Sequence, residues 1–182
     1  MQINLITSNL GKLKEFKTIL GDKITINHTK LEYKEMRSDN PEEIARDSAK
    51  MLADKLNKPV VVEDSGLFIK SLNDFPGTCS AYIHKRIELK GILKIMENIQ
   101  NRTASYKSAV AYCEPKKEPI SFLGEEQGAI AKEEKGNFGF GHDPIFIPEG
   151  SKKTYGEIEK CESIKRFRKF AIDKLKKYLE ER

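Results

Sequence analysis

Residues Val60, Val61 and Val62 form a β-branched apolar run that stops at two carboxylates, Glu63 and Asp64, followed by Ser65-Gly66. Three such residues in succession suit a strand buried on both faces, because a half-exposed strand would place every second one in water. The pattern predicts a strand that ends at the carboxylates, with Ser65-Gly66 as a turn. Carboxylates at the carboxyl edge of a sheet stand where open α/β folds take their ligands. The same residues also suit an acidic turn on the surface, so the rest of the chain has to decide between the two.

The chain has 182 residues, enough for one domain over 1–182, with or without two lobes. Its hydrophobic content of 38% beside 34% charged residues describes a globular protein, and no apolar run reaches membrane-spanning length. Met1-Gln2-Ile3-Asn4 lacks the basic start of a signal peptide, so the expectation is a cytoplasmic protein without a membrane partner. Cys79, Cys113 and Cys161 are odd in number and widely spaced, which predicts reduced thiols rather than disulfides. His28, His84 and His142 fall in no zinc-ligand spacing. The net charge of +5 is confined to the C-terminal segment, where from Lys152 onward eleven Lys+Arg face six Asp+Glu. Such a surplus fits a solvated basic helix, a polyphosphate site or a nucleic-acid surface.

Residues 2–7 read as a first strand and Asn9 as the cap of a helix whose Leu13, Phe16 and Leu20 share one face. Between them, Thr7-Ser8-Asn9-Leu10-Gly11-Lys12 offers hydroxyls and free amides at the positive end of a helix, where an anion is welcome. Lys12 and Lys14 oppose the helix dipole there, at about 0.3–1 kcal/mol, unless something negative sits beside them. No Walker loop is present. A second strand is expected over 24–27 and an irregular loop over 31–39, containing Glu35. A helix then opens with Asn40-Pro41-Glu42-Glu43 as a capping box and runs to about Asn57. Further on, a turn at 73–77, a helix near 83–99 and a strand over 104–114 are predicted. A meander of two short strands, 120–123 and 127–131, follows. The segment Gly136-Asn137-Phe138-Gly139-Phe140-Gly141-His142-Asp143-Pro144 combines three glycines with two phenylalanines, as a backbone approaching something planar would. A short helix at 154–160 and a final helix with Ile164, Phe167, Ala171, Leu175 and Tyr178 on one stripe complete the chain.

Together these pieces are complementary. The Thr7–Lys12 turn can hold a polyphosphate, and Glu35, Glu63 and Asp64 can hold magnesium against it. The aromatic glycine loop can take a base, while Lys160, Lys165 and Arg166 offset the remaining charge. That is a nucleoside triphosphate site assembled without a P-loop.

Thr-Ser-Asn-Leu-Gly-Lys (7–12), Glu-Asp-Ser-Gly-Leu (63–67), Phe-Pro-Gly (75–77) and Gly-Phe-Gly-His-Asp-Pro-Ile-Phe (139–146) occur in the order of one family. The chain resembles the inosine/xanthosine triphosphate pyrophosphatases, which clear noncanonical purine nucleotides. The resemblance implies an elongated, two-lobed α/β fold around a long mixed sheet flanked by helices, with the site in the cleft between lobes. It implies a magnesium-dependent homodimer that hydrolyses ITP, dITP and XTP to the monophosphate and pyrophosphate. Carried over, Thr7, Ser8, Asn9 and Lys12 would contact the triphosphate, Asp64 would be general base and metal ligand, and Glu35 the second magnesium ligand. Ser65 would touch the substrate, and Phe140, Gly141, His142 and Asp143 would cradle the base. Lys160, Lys165 and Arg166 would approach base or phosphate. Two positions depart from the family pattern: His142 stands where Tyr or Trp is usual, and Ile164-Lys165-Arg166 replaces Ser-His-Arg. Lys165 is then expected to donate to the 6-keto oxygen of the purine. Two expectations compete: a nucleotide pyrophosphatase of other substrate range, and nucleic-acid binding through the basic C-terminal helix, the latter weaker because it leaves the carboxylates and the phosphate turn unused.

Overall fold

In the computed structural model, which describes residues 2–21 and 24–181, the valine run lies inside a seven-stranded mixed sheet. The strands are β1 (Gln2–Ile6), β2 (Thr25–Thr29), β3 (Val60–Ile69), β4 (Phe75–Gly77), β5 (Thr103–Cys113), β6 (Ile120–Ile130) and β7 (Phe146–Pro148). Their order is β2-β1-β3-β5-β6-β7, with β4 paired to β3 alone. β1 runs parallel to β2 and β3, whereas β3–β4 and β6–β7 are antiparallel. The helices are α1 (Leu10–Leu20), α2 (Pro41–Leu56), α3 (Ser80–Ile95) and α4 (Arg166–Glu180). No helix among the described residues is long and apolar enough to cross a membrane.

The chain forms two compact units that interleave along the sequence. The first comprises Met1–Asp64, Ser108–Gly124 and Arg166–Arg182; the second comprises Ser65–Lys107 and Glu125–Lys165. In the first, the strands carry two apolar layers. Ile3, Leu5, Val61 and Val110 meet Phe16 and Leu20 of α1 and Ala171, Ile172 and Leu175 of α4. On the other side Ile6, Val60, Val62, Ala109 and Ala111 meet Ala45, Ala49, Leu52 and Ala53 of α2. Successive valines thus enter opposite layers, and burial of all three on both faces is what the sequence pattern predicts. In the second unit Phe146 stacks on Tyr155 and meets Tyr106 at a tilt, with 5.8 and 4.5 Å between ring centroids, and the Tyr155 hydroxyl donates to Glu126 at 2.5 Å.

Several local expectations change. Ser65-Gly66 is not a turn, since β3 continues through it to Ile69. Gly66 is needed for a close approach: a Cβ there would lie 2.1 Å from the carbonyl oxygen of Gly77. Ser80 Oγ holds the crossing, accepting from Leu67 N–H at 2.8 Å and donating to Gly77 O at 2.6 Å. The expected two-strand meander is one strand, β6, and Gly124 in its middle is again a contact point: a Cβ would stand 1.9 Å from the carbonyl oxygen of Phe167 on α4. The α2 capping box does not form, because Glu43 turns to the Ser38 hydroxyl at 2.7 Å while Asn40 accepts from Glu42 N–H alone. β2 begins one residue and ends two residues later than expected, α3 begins at Ser80 and is interrupted at Glu88, and the 154–160 segment makes a single turn of 3-10 helix, Tyr155–Glu157. Ile164 precedes α4 and is 44% exposed, so the apolar stripe starts at Phe167.

The Gly124 contact has a measurable consequence. Gly124→Ala forces β6 and α4 apart and should cost about 1–3 kcal/mol, the usual range for overpacking, read as a lower urea midpoint at unchanged slope.

Candidate functional site

The Thr7–Lys12 turn is built as its residues suggest. Thr7 Oγ accepts from Asn9 N–H at 3.1 Å, and Asn9 Oδ1 caps α1 by accepting from Gly11 and Lys12 N–H at 2.8 and 3.2 Å. His28 on β2 places a ring nitrogen 2.8 Å from the Thr7 carbonyl oxygen, and Thr7 N–H donates to Thr29 O at 3.2 Å. Ser8 is exposed at the tip. Lys12 does not wait for an outside anion to balance the helix dipole: its ammonium lies 2.9 Å from Glu63 O and 2.8 Å from Glu63 Oε2.

Glu63 and Asp64 follow the point where β1 pairs with β3, Leu5 opposite Val61, and β1 ends one residue later. Both carboxylates therefore lie beyond the carboxyl end of β1, although inside β3. Strand alternation sends them to opposite faces. Glu63 shares the side of Val61 and is enclosed: Oε1 accepts from Ser108 Oγ at 2.7 Å and from Arg168 Nε at 3.0 Å. Arg168 also pairs with the buried Glu15 of α1. Burial pulls the Arg168 guanidinium down to about 9, which leaves it protonated at neutral pH. Asp64 instead shares the side of Val62 and α2.

There its charge reaches Tyr33, as that of Glu35 does. Burial raises the Tyr33 hydroxyl well above its ordinary value, Glu35 raises it further by charge and by hydrogen bond, and the Asp64 charge adds to this; Ser48 acts oppositely. One half-buried phenol thus senses both carboxylates expected to hold the metal. No group of three His, Cys, Asp or Glu side chains able to hold a metal occurs among the described residues. Magnesium suits such a pair, because it keeps several waters and completes its shell with one or two carboxylates and phosphate oxygens. Glu63 is ion-paired with Lys12 and Arg168 and accepts from Ser108, whereas Asp64 and Glu35 are the two carboxylates that could hold such an ion from the α2 side.

In the second unit Asp143 organises the glycine loop. Its Oδ2 accepts from Phe140 N–H at 2.6 Å and from Lys165 Nζ at 2.7 Å. Gly139 has φ +75°, and a Cβ there would lie 2.1 Å from that same oxygen, so only glycine serves. Lys165 is 1% exposed and lies 4.4 Å from the Phe140 ring centroid. Burial raises the Asp143 carboxyl and Lys165 opposes the shift. His142 is buried edge-on to His84, with 5.1 Å between centroids. Ser65 is half-buried and Gly141 half-exposed, while Lys160 and, in the first unit, Arg166 are exposed.

Residues 3–178 match the sequence profile of the Ham1 family. This chain belongs to the Ham1 family. It is 48% identical to the dITP/XTP pyrophosphatase of Methanopyrus kandleri over 88% of each chain, and 45% identical to that of Methanothermobacter marburgensis over 89% of this chain and 87% of the relative. Among solved structures, the Staphylococcus aureus Ham1 protein aligns over 100% of this chain and 99% of its own, with TM-score 0.84 and 29% identity. A HAM1 protein from Coxiella burnetii aligns over 100% of both chains, with TM-score 0.86 and 27% identity.

In this Ham1 chain the sequence reading overlooked Glu15, Tyr33, Ser108 and Arg168. Arg168 carried a signal, since with Ala171 and Leu175 it falls at i, i+3 and i+7 on the apolar stripe, where a charge must find a buried partner. Glu15 and Ser108, which complete that partnership, lie far from Arg168 in sequence and carried none.

His142 yields a test. Burial, then the charge of His84, lowers its imidazole to about 3. The unfolded chain, with an ordinary histidine near 6.5, binds the proton first as pH falls. His142 therefore contributes stability that is complete above pH 6.5 and declines as pH drops toward 3. NMR should show its ring neutral throughout pH 5–8, and His142→Phe should flatten the fall in unfolding free energy between pH 7 and 5; a ring titrating near 6.5 contradicts this.

Proposed function

We propose that this chain is a nucleoside-triphosphate pyrophosphatase that hydrolyses ITP, dITP and XTP to the monophosphate and pyrophosphate. The observation that carries the reading is the joint presence, in the first unit, of the Thr7–Lys12 anion turn and of Asp64 with Glu35 around Tyr33. The sequence likeness to dITP/XTP pyrophosphatases supports the substrate class.

Residues of the turn, Thr7, Ser8, Asn9 and Lys12, would bind the triphosphate oxygens through amides, hydroxyls and one ammonium. Glu35 and Asp64 would hold magnesium, which supplies positive charge to the phosphoryl oxygens as negative charge develops on them. Asp64 would accept a proton from water as the water oxygen bonds to the α-phosphorus. The bond from the α-phosphorus to the bridging oxygen breaks, and its electron pair leaves with pyrophosphate. Ser65 would touch the substrate, and Phe140, Gly141, His142 and Asp143 would cradle the base. Exposed Lys160 and Arg166 would approach base or phosphate. Because Lys165 is clasped by Asp143, its effect on the base would run chiefly through the Phe140 loop it supports. The reading extends to a homodimer working in the cytoplasm, for which light scattering and fractionation are the tests.

A panel of NTPs and dNTPs with magnesium, assayed for pyrophosphate against orthophosphate, should show ITP, dITP and XTP consumed with pyrophosphate released and ATP spared. Asp64→Asn should fold and lose at least about 100-fold in kcat, the low end for removing a general base. Orthophosphate as product, or near-normal turnover in Asp64→Asn, would remove the reading.

A further inference from the structure

We infer that Glu63 is a positioning residue for Lys12, an internal carboxylate that presents the lysine to the triphosphate and tempers its grip on anions. The inference rests on the proposed function for its substrate and on the first unit's geometry for its substance.

Glu63 holds its place independently of Lys12. Its side chain is 1% exposed, and its Oε1 is fixed by Ser108 Oγ and Arg168 Nε, whose guanidinium is shared with Glu15. Lys12 is the outer member, with 18% of its side chain exposed. Its ammonium faces two oxygens of one residue, the Glu63 carbonyl and Oε2. An ammonium has three N–H donors, so at least one remains for a phosphate oxygen while the other contacts persist. A lysine otherwise loses much side-chain freedom on binding an anion; here Glu63 has already removed that freedom, which favours correct placement. The same carboxylate has a second effect. Lys12 and Arg168 against Glu63 and Glu15 form a neutral set, so Lys12 meets the polyanion with its charge already countered. Binding is weaker than a lone lysine would give, and pyrophosphate leaves more readily.

The two effects act oppositely on affinity and on turnover, which sets Glu63 apart from a merely structural acid. Glu63→Gln keeps the shape and removes the charge; Glu63→Asp keeps the charge and draws it back from Lys12. Calorimetric titration with inorganic tripolyphosphate should show Glu63→Gln binding about fivefold or more tighter than the unaltered protein, with pyrophosphate a correspondingly stronger inhibitor. Its kcat on dITP should fall about tenfold or more while KM does not rise. Glu63→Asp should leave tripolyphosphate affinity within about twofold, again with reduced kcat. Thermal melts of each variant verify folding, and Glu63→Asp carries the kcat test alone if Glu63→Gln does not fold. Unchanged kcat in the folded variants, or weaker tripolyphosphate binding by Glu63→Gln, overturns the assignment. If the unaltered protein hydrolyses no nucleotide, the proposed function fails, and the tripolyphosphate affinities still decide whether Glu63 tempers Lys12.

Discussion

The guanidinium of Arg168, buried between Glu63 and Glu15, ties three separate elements of the first unit together: α4, β3 and α1. A charge taken from water is costly unless paired and hydrogen-bonded, and losing one partner typically destabilises by about 3–5 kcal/mol. The pairing therefore restricts how α1 and α4 sit against β3, because an arrangement that parted Arg168 from either carboxylate would leave a charge buried without its partner. It also sets the electrostatics of the Thr7–Lys12 turn. Glu63, held from behind by Arg168 and Ser108, is the negative group that makes Lys12 tolerable in the first turn of a helix.

Alternation along β3 then separates two tasks. Glu63 faces the layer of α1 and α4 and is spent on holding charges in place, whereas Asp64 faces α2, where its charge and that of Glu35 both act on Tyr33. Adjacent carboxylates that look equivalent in a linear reading have different environments for that reason. The second unit works through packing and backbone shape instead. Asp143 draws together the Phe140 amide and Lys165, and the glycine at 139 leaves room for its carboxylate.

The C-terminal basic surplus also acquires a physical explanation. Arg168 and Lys165 are interior and paired. On the outer face of α4, Lys169 pairs with Asp173, Lys177 with Glu181, and Lys174 donates to Leu123 O. Much of the charge that could have suggested a nucleic-acid surface is engaged within the protein.

Local patterns by themselves determined the buried valine strand, the Asn9 and Asn40 helix starts, the Thr7–Lys12 turn and the glycine loop, because strand burial, capping and left-handed backbone depend on residues a few positions apart. They misplaced Ser65-Gly66 as a turn and split β6 into 120–123 and 127–131, since a glycine needed for contact, as Gly66 is with Gly77 and Gly124 with Phe167, looks the same in sequence as one needed for bending. The ion-paired core of Arg168, the division of labour between Glu63 and Asp64, and the enclosure of Lys165 were decided only by the tertiary structure. Each depends on which distant side chain arrives within about 3 Å, the reach of a hydrogen bond, and no local periodicity encodes that.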